Sequence, residues 1–124
     1  MYELKSETQE HKKLVGELIN GLRTRKGVTV KQASYPGYSE PEKVGRHEPD
    51  LIGVDAYGKR HLGEAKTEDD LLSSRSAEQF YDFSRLGDFL HIIVPRVAEA
   101  KLCSQLTTLH LQPLVGTKIF VWVA

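Results

Sequence analysis

The chain has 124 residues, with 17 Lys and Arg against 17 Asp and Glu, 40% hydrophobic residues and one cysteine, Cys103. This size and composition support one domain over residues 1–124 and exclude global disorder, an intrachain disulfide and a Cys-rich metal site. The zero formal charge excludes a protein that holds nucleic acid through a global basic field, and the lack of a long apolar run or signal-peptide core makes a cytoplasmic location the expectation.

Leu14, Val15, Leu18, Ile19 and Leu22 recur at helical spacing and predict an amphipathic helix over Glu7–Arg25, with Ser6 as N-cap and Gly27 as stop. Val28–Ala33 reads as a short strand. Ser34–Pro49 holds three of the five prolines, and a connection this long inside a compact domain points to function or mobility. Asp50–Ala56 and Arg60–Thr67 read as a hairpin around Tyr57-Gly58-Lys59. Asp69–Leu86 reads as helix, most firmly from Ser76. Leu90–Val94 is a strand closed by Pro95, Val97–Leu109 a helix, and Lys118–Val123 a last strand. The order α-β-β-β-α-β-α-β, a meander followed by alternation, implies an α/β fold with a mixed central sheet flanked by helices.

Glu-x-Lys occurs four times, but only Glu64 and Lys66 fall in a predicted strand, where i and i+2 share a face. With Tyr57-Gly58-Lys59 as the loop, Ile52 pairs with Glu64 and Asp50 with Lys66. Asp50 and Glu64 are then diagonal neighbours, their Cβ atoms about 7 Å apart. Two carboxylates at that separation can converge on one hard cation such as Mg²⁺, at oxygen distances of about 2.1 Å. A two-residue loop would turn Asp50 to the other face, so the site requires an odd loop or a bulge. Ile52, Val54 and Leu62 are expected as a dry shelf around it. Walker, dinucleotide, His-Glu-x-x-His and nucleophile-elbow motifs are absent.

Pro49-Asp50 followed by Glu64-Ala65-Lys66, on the second and third strands after a leading helix, resembles the PD-(D/E)xK nuclease superfamily, the restriction endonuclease-like fold. The small size is similar to minimal members such as archaeal Holliday-junction resolvases. The resemblance covers nearly the whole chain, as an αβββαβ core with an extra C-terminal helix and strand. It implies that Asp50, Glu64 and the Ala65 carbonyl hold Mg²⁺, with Mn²⁺ as substitute. It implies that Lys66 orients the attacking water and stabilises charge on phosphorus. Family members often add a first-helix glutamate. Wheel angles favour Glu7, about 50° from the centre of the apolar stripe, over Glu10 and Glu17, which lie beyond about 100°. His11 falls almost on the stripe's axis. Gln79 resembles the glutamine that relatives place beside the metal, although Phe83 replaces the tyrosine of a Gln-x-x-x-Tyr signature. An ordinary exposed helix position is the other reading of Gln79.

The implied activity is metal-dependent hydrolysis of phosphodiester bonds in DNA, selective for structure or ends. The residues do not separate DNA from RNA. Specificity would come from a homodimer, paired through Lys118–Val123, or from a protein partner. The competing reading is a catalytically idle module of this fold that binds nucleic acid or serves as an assembly subunit. Neutral charge favours the module; two adjacent carboxylates, costly without a cation, favour the enzyme. Lys12, Lys13, Lys31, Lys43, Arg46 and Arg75 are candidates for a phosphate track. Tyr35 and Tyr38 are read as stacking on bases or pinning the loop, and His47 as a phosphate contact or plain surface. Asp55 is expected in solvent or near the turn and His61 in a structural role, while His91 and His110 carry no signal.

Overall fold

Helix α1, Gln9–Arg25, begins where Thr8 can cap it: the Thr8 hydroxyl accepts from the His11 amide at 3.1 Å. The cap is therefore Thr8 and the start Gln9, in place of Ser6 and Glu7. The computed structural model describes residues 8–124, so Ser6 and Glu7 lie outside the described residues. At the far end the Leu22 carbonyl takes both the Lys26 and Val28 amides while Gly27 adopts φ +64°, the left-handed turn that ends the helix.

The remaining elements are β1 (Thr29–Ala33), β2 (Leu51–Val54), β3 (Arg60–Ala65), α2 (Ser74–Leu86), β4 (Phe89–Val94), α3 (Glu99–Thr108) and β5 (Ile119–Val123). This is the predicted order. The start of the Val97–Leu109 region is a 3₁₀ turn, Arg96–Ala98, before α3 begins. The strands lie in the order β1-β2-β3-β4-β5, with β1, β2 and β3 antiparallel and β3, β4 and β5 parallel. The sheet is mixed because the long connection after β1 and the β2–β3 hairpin reverse the chain, whereas helical crossovers join the last strands in parallel.

Strand alternation sorts the core onto two faces. Ile52, Leu62, Leu90 and Ile92 meet Phe80 and Phe83 of α2 and Leu102 and Leu106 of α3. Leu51, Ala65 and Ile93 meet Leu14, Val15, Leu18 and Leu22 of α1 on the other side. Burial of each large side chain contributes about 1.5–3 kcal/mol. A Cβ at Gly63 would stand 2.9 Å from Leu18 Cδ2, so α1 packs closely on the sheet there. Tyr35 and Tyr38 pack on this second cluster, which makes them pins for the long loop. No helix among the described residues is long and apolar enough to cross a membrane.

The hairpin register differs from the expectation by two residues. Leu51 pairs with Gly63, Ile52 with Leu62 and Val54 with Arg60. The chain turns one residue earlier because Asp55 organises the turn. Its Oδ1 accepts from the amides of Tyr57 (2.9 Å) and Lys59 (3.0 Å), and the Asp55 amide donates to the Lys59 carbonyl. Gly58, at φ +79°, completes the loop Ala56-Tyr57-Gly58. The loop remains odd, so the parity that keeps Asp50 and Glu64 on one face survives the shift.

Candidate active site

Asp50 immediately precedes β2, Glu64 lies near the end of β3, and Lys66 follows β3 with its amide on the Ile93 carbonyl of β4. The strand ends thus bring three charged groups together at one end of the sheet. The Asp50 amide donates to Glu64 Oε2 at 3.0 Å, and Asp50 Oδ2 accepts the Ala65 amide at 2.8 Å. Lys66 Nζ stands 3.3 Å from Glu64 Oε1 and donates to Gln79 Oε1 of α2. Glu64 and Lys66 are each 1% exposed, and Asp50 6%.

Gln79 is thus a buried partner of the lysine, which corrects its reading as an ordinary exposed position. Glu10 and Glu17 are exposed, as expected. Glu7 lies outside the described residues. The residue of α1 that does reach the site is His11, whose Nε2 donates to Asp50 Oδ2 at 3.1 Å. Its place on the axis of the apolar stripe was the signal for this. A polar residue centred on a buried stripe needs a buried partner. Ile52 and Leu62 lie within the core, not on a shelf around the site.

The connection Ser34–Pro49 is strapped to α2 beside Gln79. Arg46 Nε donates to Asp82 Oδ2 (2.8 Å) and its Nη2 to Oδ1 (3.1 Å), while His47 Nε2 donates to Glu78 Oε1 (3.2 Å). The Arg46 hydrogen bonds hold the Asp82 carboxyl below the usual carboxylate range, against an opposing effect of burial. Arg46 thus clamps the connection to α2 while its side chain stays 59% exposed, and His47 is a half-buried partner of Glu78.

A second polar cluster occupies the opposite face of β3. Trp122 Nε1 donates to His91 Nδ1 at 3.0 Å, and indole nitrogen is a donor only. His91 therefore carries its proton on Nε2 and donates to His61 Nδ1 at 2.8 Å. His61 in turn donates from Nε2 to Asp55 Oδ2 at 2.9 Å. Burial, with smaller effects of His61 and Lys26, pushes His91 down to about 3 and keeps it neutral. The hydrogen bond from His61 holds Asp55 below its usual range. Asp55 is thus engaged rather than solvated. His91, which carried no signal in the sequence, is the centre of the chain; its partners lie 30 and 31 residues away.

A divalent cation is the group that the resemblance implies at the first cluster. Among the described residues no set of three or more His, Cys, Asp or Glu is placed to hold a metal ion. Among the described residues, a zinc site with four protein ligands or three and a water does not fit. Two adjacent carboxylates do fit Mg²⁺ or Mn²⁺, because Mg²⁺ is commonly held by one or two carboxylates, several waters and substrate phosphate. Ala65 is seen to contribute its amide, to Asp50. Comparisons with protein-family models, with curated proteins and with solved structures each return no match to this chain.

Proposed function

We propose that this chain is a metal-dependent phosphodiesterase of PD-(D/E)xK, restriction endonuclease-like type, acting on DNA. One observation carries the reading: Asp50, Glu64 and Lys66 meet in a single buried cluster at the ends of adjacent strands. Like charges so close favour a counter-ion, and an ammonium beside them suits a phosphate. Asp50 and Glu64 would hold Mg²⁺, which would supply Lewis acidity at a phosphoryl oxygen and a lowered pKa for its bound water.

The chain's own residues do the rest. His11 and the Ala65 amide fix the orientation of Asp50 through Oδ2. Gln79 and Glu64 hold the Lys66 ammonium beside the carboxylates, where it orients the attacking water and offsets charge building on the phosphoryl oxygens. The Arg46–Asp82 clamp holds the long connection against α2, the helix that delivers Gln79. A homodimer or a protein partner supplies specificity.

The 1% exposure of both Glu64 and Lys66, already paired with each other, favours a second reading, an idle module of the same fold. Cleavage decides between them. With Mn²⁺ and a panel of single-stranded, duplex, flap and four-way-junction DNA, the nuclease cleaves at least one form. Lys66→Ala lowers that rate by roughly 10²–10³-fold, the usual effect of losing one preorganised electrostatic group. Folded protein that cleaves no form, or cleavage unchanged in Lys66→Ala, would overturn the proposal.

A further inference from the structure

Beside the candidate site, a groove of about 560 Å³ runs between α1 and the edge strand β5. Lys13, Glu17 and Arg25 of α1 line it, with Tyr35 and Trp122 as aromatic walls. A neighbouring cavity of about 530 Å³ shares Arg25 and Trp122 and adds Lys26 and Phe120. The two adjoin at Arg25, Val121 and Trp122 and are taken together as one channel.

The walls are built in. A Cβ at Gly21 would lie 2.5 Å from the Trp122 ring, and one at Gly16 would lie 2.7 Å from the Tyr35 hydroxyl. Both rings therefore rest directly on helix backbone. The Arg25 guanidinium sits 5.6 Å over the Trp122 ring and the Lys26 ammonium 4.5 Å over Phe120. The chain is neutral overall, yet Lys13, Arg25 and Lys26 face this channel against Glu17.

The third wall is backbone. Lys118 O and Ala124 N bond to β4, so by parallel-strand alternation the amides and carbonyls of Val121 and Val123 face the open edge. Among the described residues no strand covers that edge. From Arg25 to Lys13 the channel follows α1 for about 18 Å, and its lining includes Ile93, whose carbonyl accepts the Lys66 amide.

We infer that this channel binds a single-stranded polynucleotide and leads it to the site. Lys13, Arg25, Lys26 and the free β5 amides contact phosphate, and the bases lie against the partly exposed edges of Trp122 and Phe120, whose faces carry Arg25 and Lys26. A peptide strand added to β5 would use the same backbone groups but has no need of three cations. The substrate class rests on the nuclease reading; the place of binding does not.

Trp122 is the single tryptophan, so its fluorescence reports on the channel directly. The protein is titrated in EDTA with an oligothymidylate, an oligouridylate, an abasic strand of equal length and a polyglutamate peptide. One or both base-bearing strands are expected to quench Trp122 saturably, and the difference between them separates DNA from RNA. The log of affinity is expected to fall against log salt with a slope of about −2, from three cations at about 0.7 each. Arg25→Ala and Lys26→Ala each reduce that slope by about 0.7. Absence of quenching by either strand, equal quenching by the abasic strand or the polyglutamate, or a slope unchanged in both variants overturns the inference. Cleavage without quenching sinks the channel and leaves the nuclease. Quenching by protein that cleaves nothing, even with Mn²⁺, leaves the channel and sinks the nuclease.

Discussion

Strand β3 carries a polar cluster on each face: Glu64 and Lys66 toward α2, His61 toward α1. The His61 side is a line of neutral donors and acceptors running from Trp122 through His91 to His61, with only its terminus, Asp55, a carboxylate. Each of these hydrogen bonds follows from the one before it, because indole can only donate. A network matched in this way specifies structure and leaves nothing for a ligand to neutralise. On the Glu64 side, two carboxylates face one ammonium within the same few ångströms. Buried polar groups are thus present on both faces, and the difference in charge, not in burial, is what separates the two.

Charge substitutions should separate the two sides most sharply. Glu64→Leu leaves the buried Lys66 ammonium with Gln79 as its remaining side-chain partner, and urea unfolding should register a loss of about 3–5 kcal/mol. A loss below 1 kcal/mol would mean that Lys66 reaches solvent easily. Next in size is metal linkage. Mg²⁺ at one hundred times its Kd should stabilise the protein by about 2.7 kcal/mol in thermal melts, and Asp50→Ala should abolish the gain. A gain that survives Asp50→Ala would put the ion elsewhere.

On the relay side, His61→Leu removes the middle of the line and should cost about 1–3 kcal/mol in the same unfolding assay. The cleavage rate should stay unchanged. A lost rate would tie the relay to function and break the contrast between the faces.

Acid provides the finest test. His91 is depressed from 6.5 to about 3 in the folded chain, so between these values the unfolded chain binds the extra proton. The stability tied to His91 is therefore full above pH 6.5 and falls as pH drops toward 3, by at most about 1.4 kcal/mol per unit. His91→Gln, which can still accept from Trp122, should flatten that slope. Acid loss below about pH 3.8 should remain, because Asp55 and Asp82 are held low and lose their contribution as they protonate there. An unchanged slope between pH 6.5 and 4 in His91→Gln would refute the assignment.

Much of this architecture was legible from local pattern. The 3.6-residue stripe of α1 and the two-residue alternation of β2 and β3 are consequences of backbone geometry alone. Parity also carried the approach of Asp50 to Glu64, since any odd hairpin loop keeps them on one face. The register did not follow from parity. It depended on Asp55 capturing two amides of the turn, a contest between neighbouring loop conformations that hydrophobic pattern does not decide. The helix start likewise turned on a side-chain cap, the Thr8 hydroxyl capturing the His11 amide.

The sequence by itself therefore determined the element order, the mixed sheet and the pairing of an acidic hairpin with Lys66, because each depends on residues near in the chain or on strand periodicity. Tertiary structure decided the rest. His11 reached Asp50 across 39 residues, Gln79 turned inward to Lys66, and Trp122 set the tautomers of His91 and His61. These are contacts between elements whose relative placement comes from packing the two cores, and a hydrogen bond depends on an ångström of that placement that no local preference encodes.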